Sequence, residues 1–301
     1  MSGSDIVDNV LEFSRRRSGR YVELRLQIEK WLELTDGWFH IHDLDKDLKI
    51  TLKRDKECRK KILYRMVQAG QLEKHKSRYG VFRKVQDEVE EIDWRSADPD
   101  SFLDIRWPFG LEKLVRIYSG NIIIIAGSPN AGKSAFLLNF IDLNQRNWPI
   151  HYFSSEMGAE ELKLRLSKFG YGDNHWDFKA YSRASDFARV IRPDDINLID
   201  YLEVADNFYL IAQELREIHD RLQKGIAVIA LQKKRGAQLG RGAEFSLEKP
   251  RLYLSMDQGE LEIVKAKNWA LAGVNPNGMK FKFKLVDGCK FIIQEDEEVP
   301  F

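Results

Sequence analysis

From residue 121 to residue 232, short apolar runs alternate with segments long enough to form helices. Each run is mostly apolar and is followed by a polar residue, and the first contains four β-branched residues in a row. Runs of this kind predict buried strands of a parallel sheet. The predicted strands cover 121–126, 149–155, 196–199 and 226–231, and the predicted helices cover 135–144, 159–169 and 207–224. Their alternation predicts an α/β fold with right-handed crossovers, in which ligands bind at the carboxyl ends of the strands.

Residues 21–85 have a different pattern, with helical spacing first and short alternating runs afterwards. Three helices are predicted, the first ending at Asp36 and Gly37, the others at 43–48 and 53–69, together with a short strand at 38–41 and a hairpin over 71–75 and 80–85. The apolar side of the first helix is expected to contain Leu24, Leu26, Ile28, Trp31, Leu32 and Leu34, and that of the third Cys58, Ile62, Leu63, Met66 and Val67. Three helices and a hairpin in so short a stretch resemble a winged-helix domain.

Composition divides the chain into four parts. Residues 1–20 are polar and end in a basic run, which predicts a mobile tail or a short helix. Residues 21–86 form the predicted α+β winged-helix domain, and the acidic stretch 87–104 is the predicted linker. Residues 105–301 form the predicted α/β domain, with a hairpin over 280–285 and 290–293 that extends the sheet.

The overall composition indicates a cellular compartment but does not indicate a ligand. The 301 residues include 48 basic and 47 acidic side chains, so affinity for nucleic acid has to come from local patches. Cys58 and Cys289 have no C-x-x-C partner, which fits a reducing compartment and gives no sign of a zinc site. Because the sequence has no apolar stretch of membrane-spanning length and no signal-peptide core, we expect a cytoplasmic protein that does not bind membranes.

The first predicted strand leads into a complete G-x-x-x-x-G-K-[ST] phosphate loop. Its glycines let backbone N–H groups face a β-phosphate, Lys133 reaches the β- and γ-oxygens, and Ser134 offers its hydroxyl to Mg²⁺. The loop and the residue after it predict an ATP or GTP site formed by Gly127, Ser128, Pro129, Asn130, Ala131, Gly132, Lys133, Ser134 and Ala135.

The other three predicted strands end in Glu156, Asp200 and Gln232, which should meet Lys133 at one edge of the sheet. Asp200 fits a carboxylate that holds Mg²⁺ through water. Glu156 fits a general base for the attacking water, or alternatively a charge favoured at the start of the next helix. Gln232 fits a sensor that hydrogen-bonds to the γ-phosphate.

These motifs together resemble the RecA-like ATPase core of the DnaB-type replicative helicases. The resemblance covers about residues 102–287 and includes F-S-S-E-M at 153–157 and L-I-D-Y-L at 198–202. It implies ATP and Mg²⁺ as cofactors, a catalytic Glu156, and a homo-oligomer, either a hexameric ring or a filament. It further implies that Lys265 and Lys267 act in trans on a neighbour's γ-phosphate; the alternative is an edge strand with solubilising lysines.

The chain also departs from the DnaB pattern. The helicase Ser-Gln pair is replaced by Leu231-Gln232-Lys233, so either Gln232 or Lys233 could be the sensor, and Lys267 stands where the family has its finger arginine. A winged-helix segment is predicted instead of the helical primase-interacting domain. These differences leave the ATPase prediction intact and leave strand unwinding open.

Two basic segments are candidates for DNA contact. Residues 53–84 carry twelve basic and three acidic side chains, and the predicted contacts to double-stranded DNA are Lys53, Arg54, Lys56, Arg59, Lys60, Lys76 and Arg78. The glycine-rich loop 233–242 is predicted to hold single-stranded DNA through Lys233, Lys234, Arg235 and Arg241. A protein-docking surface and a solvated loop are the respective alternatives.

The sequence therefore supports three hypotheses of function. The first is a DNA-binding ATPase motor that translocates along or remodels nucleic acid. The second is an ATP-controlled DNA-binding switch that acts in recombination, loading or regulation without unwinding. In the third, the winged-helix segment docks onto a protein and the ATPase never touches DNA.

Overall fold

The computed structural model describes residues 19–35, 37–85, 92–202 and 209–294. The chain divides into two compact units, Met1–Ser96 and Ala97–Phe301. The division falls inside the predicted linker. The predicted tail up to residue 18, residue 86 with the linker residues 87–91, and the acidic end after residue 294 lie outside the described residues.

In its described residues, the smaller unit combines three helices with a three-stranded antiparallel sheet. Its elements are α1 (19–33), β1 (Phe39–His40), α2 (Ile41–Asp47), α3 (Lys53–Gln68), β2 (Leu72–Lys74) and β3 (Val81–Lys84). β3 lies in the middle of the sheet, paired with β1 on one side and β2 on the other. The first strand is shorter than predicted because His40 caps α2: its Nδ1 accepts from the backbone N–H of His42, and Asp43 accepts from the backbone N–H of His40.

The core of the smaller unit is built from one face of each helix. Leu24 and Ile28 of α1, Leu44 of α2 and Ile62 of α3 are buried together. The prediction that Leu26 belongs to this apolar side is wrong, since its side chain is 53% exposed. Two residues turn a helix by about 200°, so Leu26 faces away from the side that Leu24 and Ile28 share.

The larger unit is built on a nine-stranded sheet in its described residues. Its strands are β4 (Ile122–Gly127), β5 (Ile150–Ser154), β6 (Lys179–Ser182), β7 (Ile196–Leu202), β8 (Ile226–Gln232), β9 (Leu252–Asp257), β10 (Glu260–Ala266), β11 (Lys280–Val286) and β12 (Lys290–Gln294). The helices are α4 (Lys133–Asn144), α5 (Ala159–Ser167) and α6 (Tyr209–Arg221). The strand order is β12-β11-β10-β9-β4-β8-β7-β5-β6. Strands β4 to β9 are parallel to one another, and β10 to β12 follow as antiparallel hairpins.

The central strands are apolar on both faces because helices cover both sides of the sheet. Ile123 of β4 packs in the same cluster as Phe136 of α4, whereas Ile124 packs with Leu215 of α6. Burying each such side chain contributes roughly 1.5–3 kcal/mol. The predicted α/β class with a mostly parallel sheet is confirmed.

Some elements of the larger unit differ from the prediction. β6 and β9 were not predicted, because the first is largely exposed and the second contains polar residues. β10 is not the edge strand considered for 263–268, since β11 pairs with it on its outer side. None of the helices in the described ranges is long and apolar enough to cross a bilayer.

Candidate nucleotide site

The phosphate loop connects the end of β4 to the start of α4. Asn130 and Gly132 adopt positive φ angles of 61° and 100°, which turn the chain back on itself. Gly127 is required for a different reason: a Cβ there would lie 2.5 Å from Cγ of Lys133. The loop is also bound to β9, the strand beside β4 in the sheet, because the backbone N–H of Ser128 donates to the carbonyl of Met256 at 3.1 Å.

The start of α4 provides a set of backbone hydrogen-bond donors. Gly132 is the N-cap, and no side chain bonds to the first turn. The first N–H groups of a helix have no partner within the helix, and together with the helix dipole they attract anions. The loop therefore presents backbone donors and a positive field at the carboxyl edge of the sheet.

A cavity of about 430 Å³ opens at this edge. It is lined by Pro129, Asn130, Gly132, Lys133, Ser134, Ala135, Glu156, Arg165, Asp200, Tyr201, Gln232, Leu285 and Gly288. The four residues expected to meet at the strand ends all line it. Three predicted loop residues, Gly127, Ser128 and Ala131, lie behind the cavity wall; Ser128 is fully buried.

Asp200 is a buried carboxylate held by a tyrosine. The hydroxyl of Tyr152, on the neighbouring strand β5, donates to its Oδ2 at 2.5 Å. Burial and the negative charge of Asp200 raise the pKa of Tyr152 well above its ordinary value, so the hydroxyl remains a donor. Sequence reasoning missed Tyr152. Its place within the predicted strand 149–155 was the only signal that the sequence offered for it.

Lys133 bends back onto its own loop. Its Nζ donates to the carbonyls of Gly127 and Ser128, at 3.2 and 3.4 Å. Burial lowers the pKa of Lys133, while the carboxylates of Asp200 and Glu156 act against that shift. The ammonium therefore lies in a partly dry site with two acids near it.

Glu156 is carried by a turn that is fastened to the neighbouring strand. The hydroxyl of Ser154 accepts from the backbone N–H of Met157 at 2.8 Å, and the N–H of Ser155 donates to the carbonyl of Asp200 at 3.0 Å. Glu156 precedes Gly158, the N-cap of α5, and the acids of the first turn of that helix are Glu160 and Glu161. The alternative interpretation of Glu156 as a helix-start charge is therefore weakened.

Comparisons with known proteins agree with this geometry. Residues 110–229 match the family model of the DnaB-like helicase C terminal domain. The crystal structure of a KaiC-like protein from the hyperthermophilic archaeon Pyrococcus horikoshii OT3 is similar over 64% of this chain and 99% of its own, at 14% identity and a TM-score of 0.50. The crystal structure of the RadB recombinase covers 56% of this chain and 89% of its own, at 12% identity and a TM-score of 0.43. No curated protein matches the chain.

The larger unit has a RecA-like core, and its residues 110–229 resemble the DnaB-like helicase C terminal domain. In this RecA-like core, a wall of the cavity comes from the β11–β12 hairpin. Asn139 of α4 donates to the carbonyl of Cys289 at 2.6 Å and fastens the hairpin beside the phosphate loop. The hairpin was expected only to extend the sheet.

The two sensor candidates of the RecA-like core face different ways. Gln232 lines the cavity, and its carbonyl accepts from the backbone N–H of Arg241 at 2.8 Å. The Lys233 side chain is 1% exposed, and its Nζ lies 2.7 Å from Oδ2 of Asp257 and 2.6 Å from the carbonyl of Ala237. The geometry favours Gln232 as the sensor, and the prediction that Lys233 contacts nucleic acid is wrong because its ammonium is buried in an ion pair.

Arg165 is a cavity residue that sequence reasoning did not assign. It projects from α5, and its Nε and Nη2 lie 3.1 and 2.7 Å from Oε1 of Glu161, one turn earlier. Lys133 and Arg165 are the cationic side chains of the described cavity lining. The i, i+4 spacing of Glu161 and Arg165 suggested an ordinary surface pair.

Lys265 and Lys267 lie far from the cavity of their own chain. Lys265 is level with Ile124 in the sheet, and the N–H of Lys267 donates to the carbonyl of Arg251, before β9 begins. Lys267 is therefore near the amino ends of the parallel strands, opposite the phosphate loop, whereas Lys265 is level with the middle of β4. Lys267 is exposed, whereas Lys265 donates to the carbonyl of Leu247 and has its pKa lowered by burial and by Lys267.

Most of the predicted DNA contacts are exposed side chains. In the smaller unit these are Lys53, Arg54, Lys56, Lys60, Lys76 and Arg78, and in the loop of the core they are Lys234, Arg235 and Arg241. Arg59, like Lys233, is an exception: it is 8% exposed, and its Nη1 lies 3.2 Å from Oδ2 of Asp45. The prediction that Arg59 contacts DNA is wrong, because Arg59 belongs to the side of α3 that faces the core.

Proposed function

We propose that this protein is a Mg²⁺-dependent ATPase of the RecA and replicative-helicase type, which couples ATP hydrolysis to movement along nucleic acid or to its remodelling. The observation that carries the proposal is the meeting of Lys133, Glu156 and Asp200 in one cavity at a helix N-terminus. They come from three separate segments, and each meets a different requirement of phosphoryl transfer.

The triphosphate would be held by the loop and by the first turn of α4. Their backbone N–H groups would donate to the phosphate oxygens. Lys133 would leave the carbonyls of Gly127 and Ser128 and turn to the β- and γ-phosphates. Negative phosphate charge would favour the protonated form that burial disfavours.

The residues available for Mg²⁺ fit the way this ion binds. No group of three or more His, Cys, Asp or Glu side chains in the described ranges is arranged to hold a metal. Mg²⁺ usually keeps several waters and takes one or two protein oxygens beside the substrate phosphates. Ser134 and the fixed carboxylate of Asp200 would supply those oxygens. When bound, the ion offsets charge on the phosphates.

Glu156 is proposed to accept the proton of the attacking water. Its carboxylate is exposed in the cavity, and it acts electrostatically on Lys133 from across the site. A carboxylate in this position also orients the water in line with the γ-phosphate. The turn that is fastened to β7 would keep it in place.

The link from ATP to nucleic acid is proposed to run through the loop that follows Gln232. The bond from the N–H of Arg241 to the carbonyl of Gln232 closes this loop at its base. Lys234, Arg235 and Arg241 are exposed on it and would contact phosphates. A shift of Gln232 toward a γ-phosphate would therefore move the loop that grips the strand.

The smaller unit is proposed to be a winged-helix domain that binds double-stranded DNA. The order helix, strand, helix, helix, hairpin and the exposed basic residues of α3 and the hairpin support this. Arg59 is left out of the contact set. The core is proposed to assemble as a homo-oligomeric ring or filament, with Lys267 reaching a neighbour's site.

A second candidate is an ATP-controlled DNA-binding switch without unwinding activity. The observation that favours it is that the basic surface of the smaller unit belongs to a compact unit of its own. Such a unit could select a DNA site, while ATP in the core controls assembly. Both candidates share the same ATPase chemistry.

One set of measurements tests the proposal and separates the two candidates. ATP turnover and oligomer size are measured with no DNA, with single strands and with duplex. A motor predicts turnover stimulated by single strands, whereas a switch predicts duplex-dependent assembly with little stimulation. Glu156→Gln should lower turnover about 10²- to 10⁴-fold and keep ATP binding, while Glu160→Gln, one turn away and exposed, serves as the matched control. Unchanged turnover in Glu156→Gln would remove this residue from its role.

A further inference from the structure

A groove of about 750 Å³ lies in the smaller unit between α3 and the β2–β3 hairpin. Its apolar wall is formed by Ile41, Leu63, Val67 and Phe82. This volume is in the range of small-molecule pockets. None of the sequence motifs assigned a role to it, and we call it the tyrosine groove.

Two tyrosines on the groove are unusually exposed. Tyr64 of α3 is 65% exposed, and Tyr79 in the hairpin turn is 82% exposed. Aromatic rings normally bury most of their area. Tyr79 lies in a tight turn that needs glycine at the next position. Gly80 has a φ of +73°, and a Cβ there would lie 3.1–3.2 Å from His40 and Ile41.

The charges along the groove are mostly positive. Its basic lining residues are Arg59, Lys60, Lys61, Arg65 and Lys74, and Glu57 is the acidic one. Two of these cations are already engaged: Arg59 with Asp45, and Arg65 with the ring and hydroxyl of Tyr21. Lys60 and Lys61 extend from α3, and Nζ of Lys74 lies 5.7 Å from the ring centre of Tyr79.

We propose that the tyrosine groove binds unpaired nucleotides of a DNA single strand. Bases would stack on Tyr64 and Tyr79, and the strand's phosphates would lie along Lys60, Lys61 and Lys74. Exposed aromatic rings inside a basic groove are what sequence-tolerant single-strand binding requires. This inference rests on the proposed DNA binding of the smaller unit and specifies the state of the strand it takes there.

Duplex DNA fits the groove poorly for a chemical reason. In a duplex the base faces are covered by their neighbours, so tyrosine rings have nothing to stack on, and only the phosphates and groove edges are available. The exposed basic residues near the start of α3, such as Lys53 and Lys56, have no aromatic residue next to them in the sequence. Those positions suit a duplex, and the tyrosine groove suits the strand that leaves it.

The test uses the full chain and two fluorescein-labelled probes, a thymidine oligomer of about 12 nucleotides and a blunt duplex of the same length. Tyr64→Ala with Tyr79→Ala should weaken single-strand binding about 10- to 100-fold and change duplex binding less than about twofold. The double Tyr→Phe variant should retain single-strand binding, because stacking does not need the hydroxyl. Tyr171→Ala, at an exposed tyrosine of the larger unit, is the matched control.

Photocrosslinking on the unmodified chain locates the bound strand directly and does not depend on the stability of the variants. A thymidine oligomer carrying 5-iodouracil should crosslink to Tyr64 or Tyr79 in peptide maps of the unmodified chain. Crosslinks confined to the loop 233–242, or equal losses for single strand and duplex, would overturn the groove proposal, as would unchanged single-strand affinity. If the wild-type chain bound neither probe, the proposed DNA function itself would fail, which differs from failure of the tyrosine variants alone.

Discussion

At the scale of single residues, the environment of Lys133 predicts that ATP binding takes up a proton at alkaline pH. Burial lowers the pKa of this lysine, and bound phosphates would raise it again. ATP affinity should therefore be constant at lower pH and fall as the pH rises through the Lys133 pKa of the free protein. Titration calorimetry in two buffers of different ionisation enthalpy measures the uptake.

The matched variant for this prediction is Lys133→Arg. A guanidinium stays protonated over the accessible range, so the proton uptake should disappear even where some ATP binding remains. An alkaline titration of the wild-type chain with no proton uptake would contradict the assignment of Lys133 to the phosphates.

Arg165 supports a second prediction at this scale. Its guanidinium is bound to Glu161, and a triphosphate would compete for it. Arg165→Gln should reduce turnover by about 10²-fold, the usual cost of removing one transition-state donor. Glu161→Gln should leave turnover intact or raise it, because the arginine is then free. Steady-state kinetics of both variants check this, and equal losses in the two would indicate that the pair only stabilises α5.

At the scale of elements, continuous apolar runs made the central strands predictable. β4 and β8 are buried on both faces, so the apolar run in each sequence is sufficient to predict the strand. β9 has a polar serine in its middle, and β6 is mostly exposed, so neither has the continuous apolar run that predicts a buried strand. Strand order then brought Glu156 and Asp200 together, as expected for carboxyl ends of parallel strands.

The burial of individual charges was not predictable, because it depends on partners far along the chain. Lys233 lies in a basic, glycine-rich segment that reads as exposed, yet Asp257, at the end of β9, neutralises it. Arg59 has neighbours typical of a DNA-binding helix, and Asp45 of α2 covers it. Spacing along one element gives the face of a residue but not the charge that a second element brings to it.

The ion pair between Lys233 and Asp257 yields a prediction about the loop that follows Gln232. Asp257→Asn leaves the buried ammonium of Lys233 without its counter-charge, so the larger unit should lose about 1–3 kcal/mol of unfolding free energy. Denaturant titration followed by near-ultraviolet circular dichroism measures this loss. The control is Glu260→Gln, which breaks the exposed pair with Lys280 and should cost clearly less than Asp257→Asn. Similar losses for the two variants would mean that the buried pair does not fix the loop.

At the scale of the whole molecule, the phosphate loop and Lys267 lie at opposite ends of the parallel strands. The carboxyl edge holds the phosphate loop, and the amino ends of the same strands lie beside Lys267. One chain therefore cannot bring its own Lys267 to its own cavity without breaking the sheet. If Lys267 takes part in hydrolysis, the ATP it acts on belongs to another copy.

This separation predicts complementation between two inactive variants. Lys267→Ala keeps a complete cavity and should bind ATP normally but turn it over slowly, since loss of one charge-stabilising donor costs about 10²- to 10³-fold. Lys133→Ala lacks the loop lysine but keeps Lys267. In a mixed oligomer, an intact cavity of the first variant can lie beside an intact Lys267 of the second. The mixture should therefore hydrolyse ATP faster than either variant alone, and the gain should rise with total protein concentration as assembly proceeds.

Mixing the double variant Lys133→Ala, Lys267→Ala with Lys267→Ala should give no gain, because neither chain then supplies the lysine. Turnover in the first mixture that stayed at the sum of its parts, under conditions where light scattering detects mixed assembly, would leave Lys267 as a solubilising surface residue.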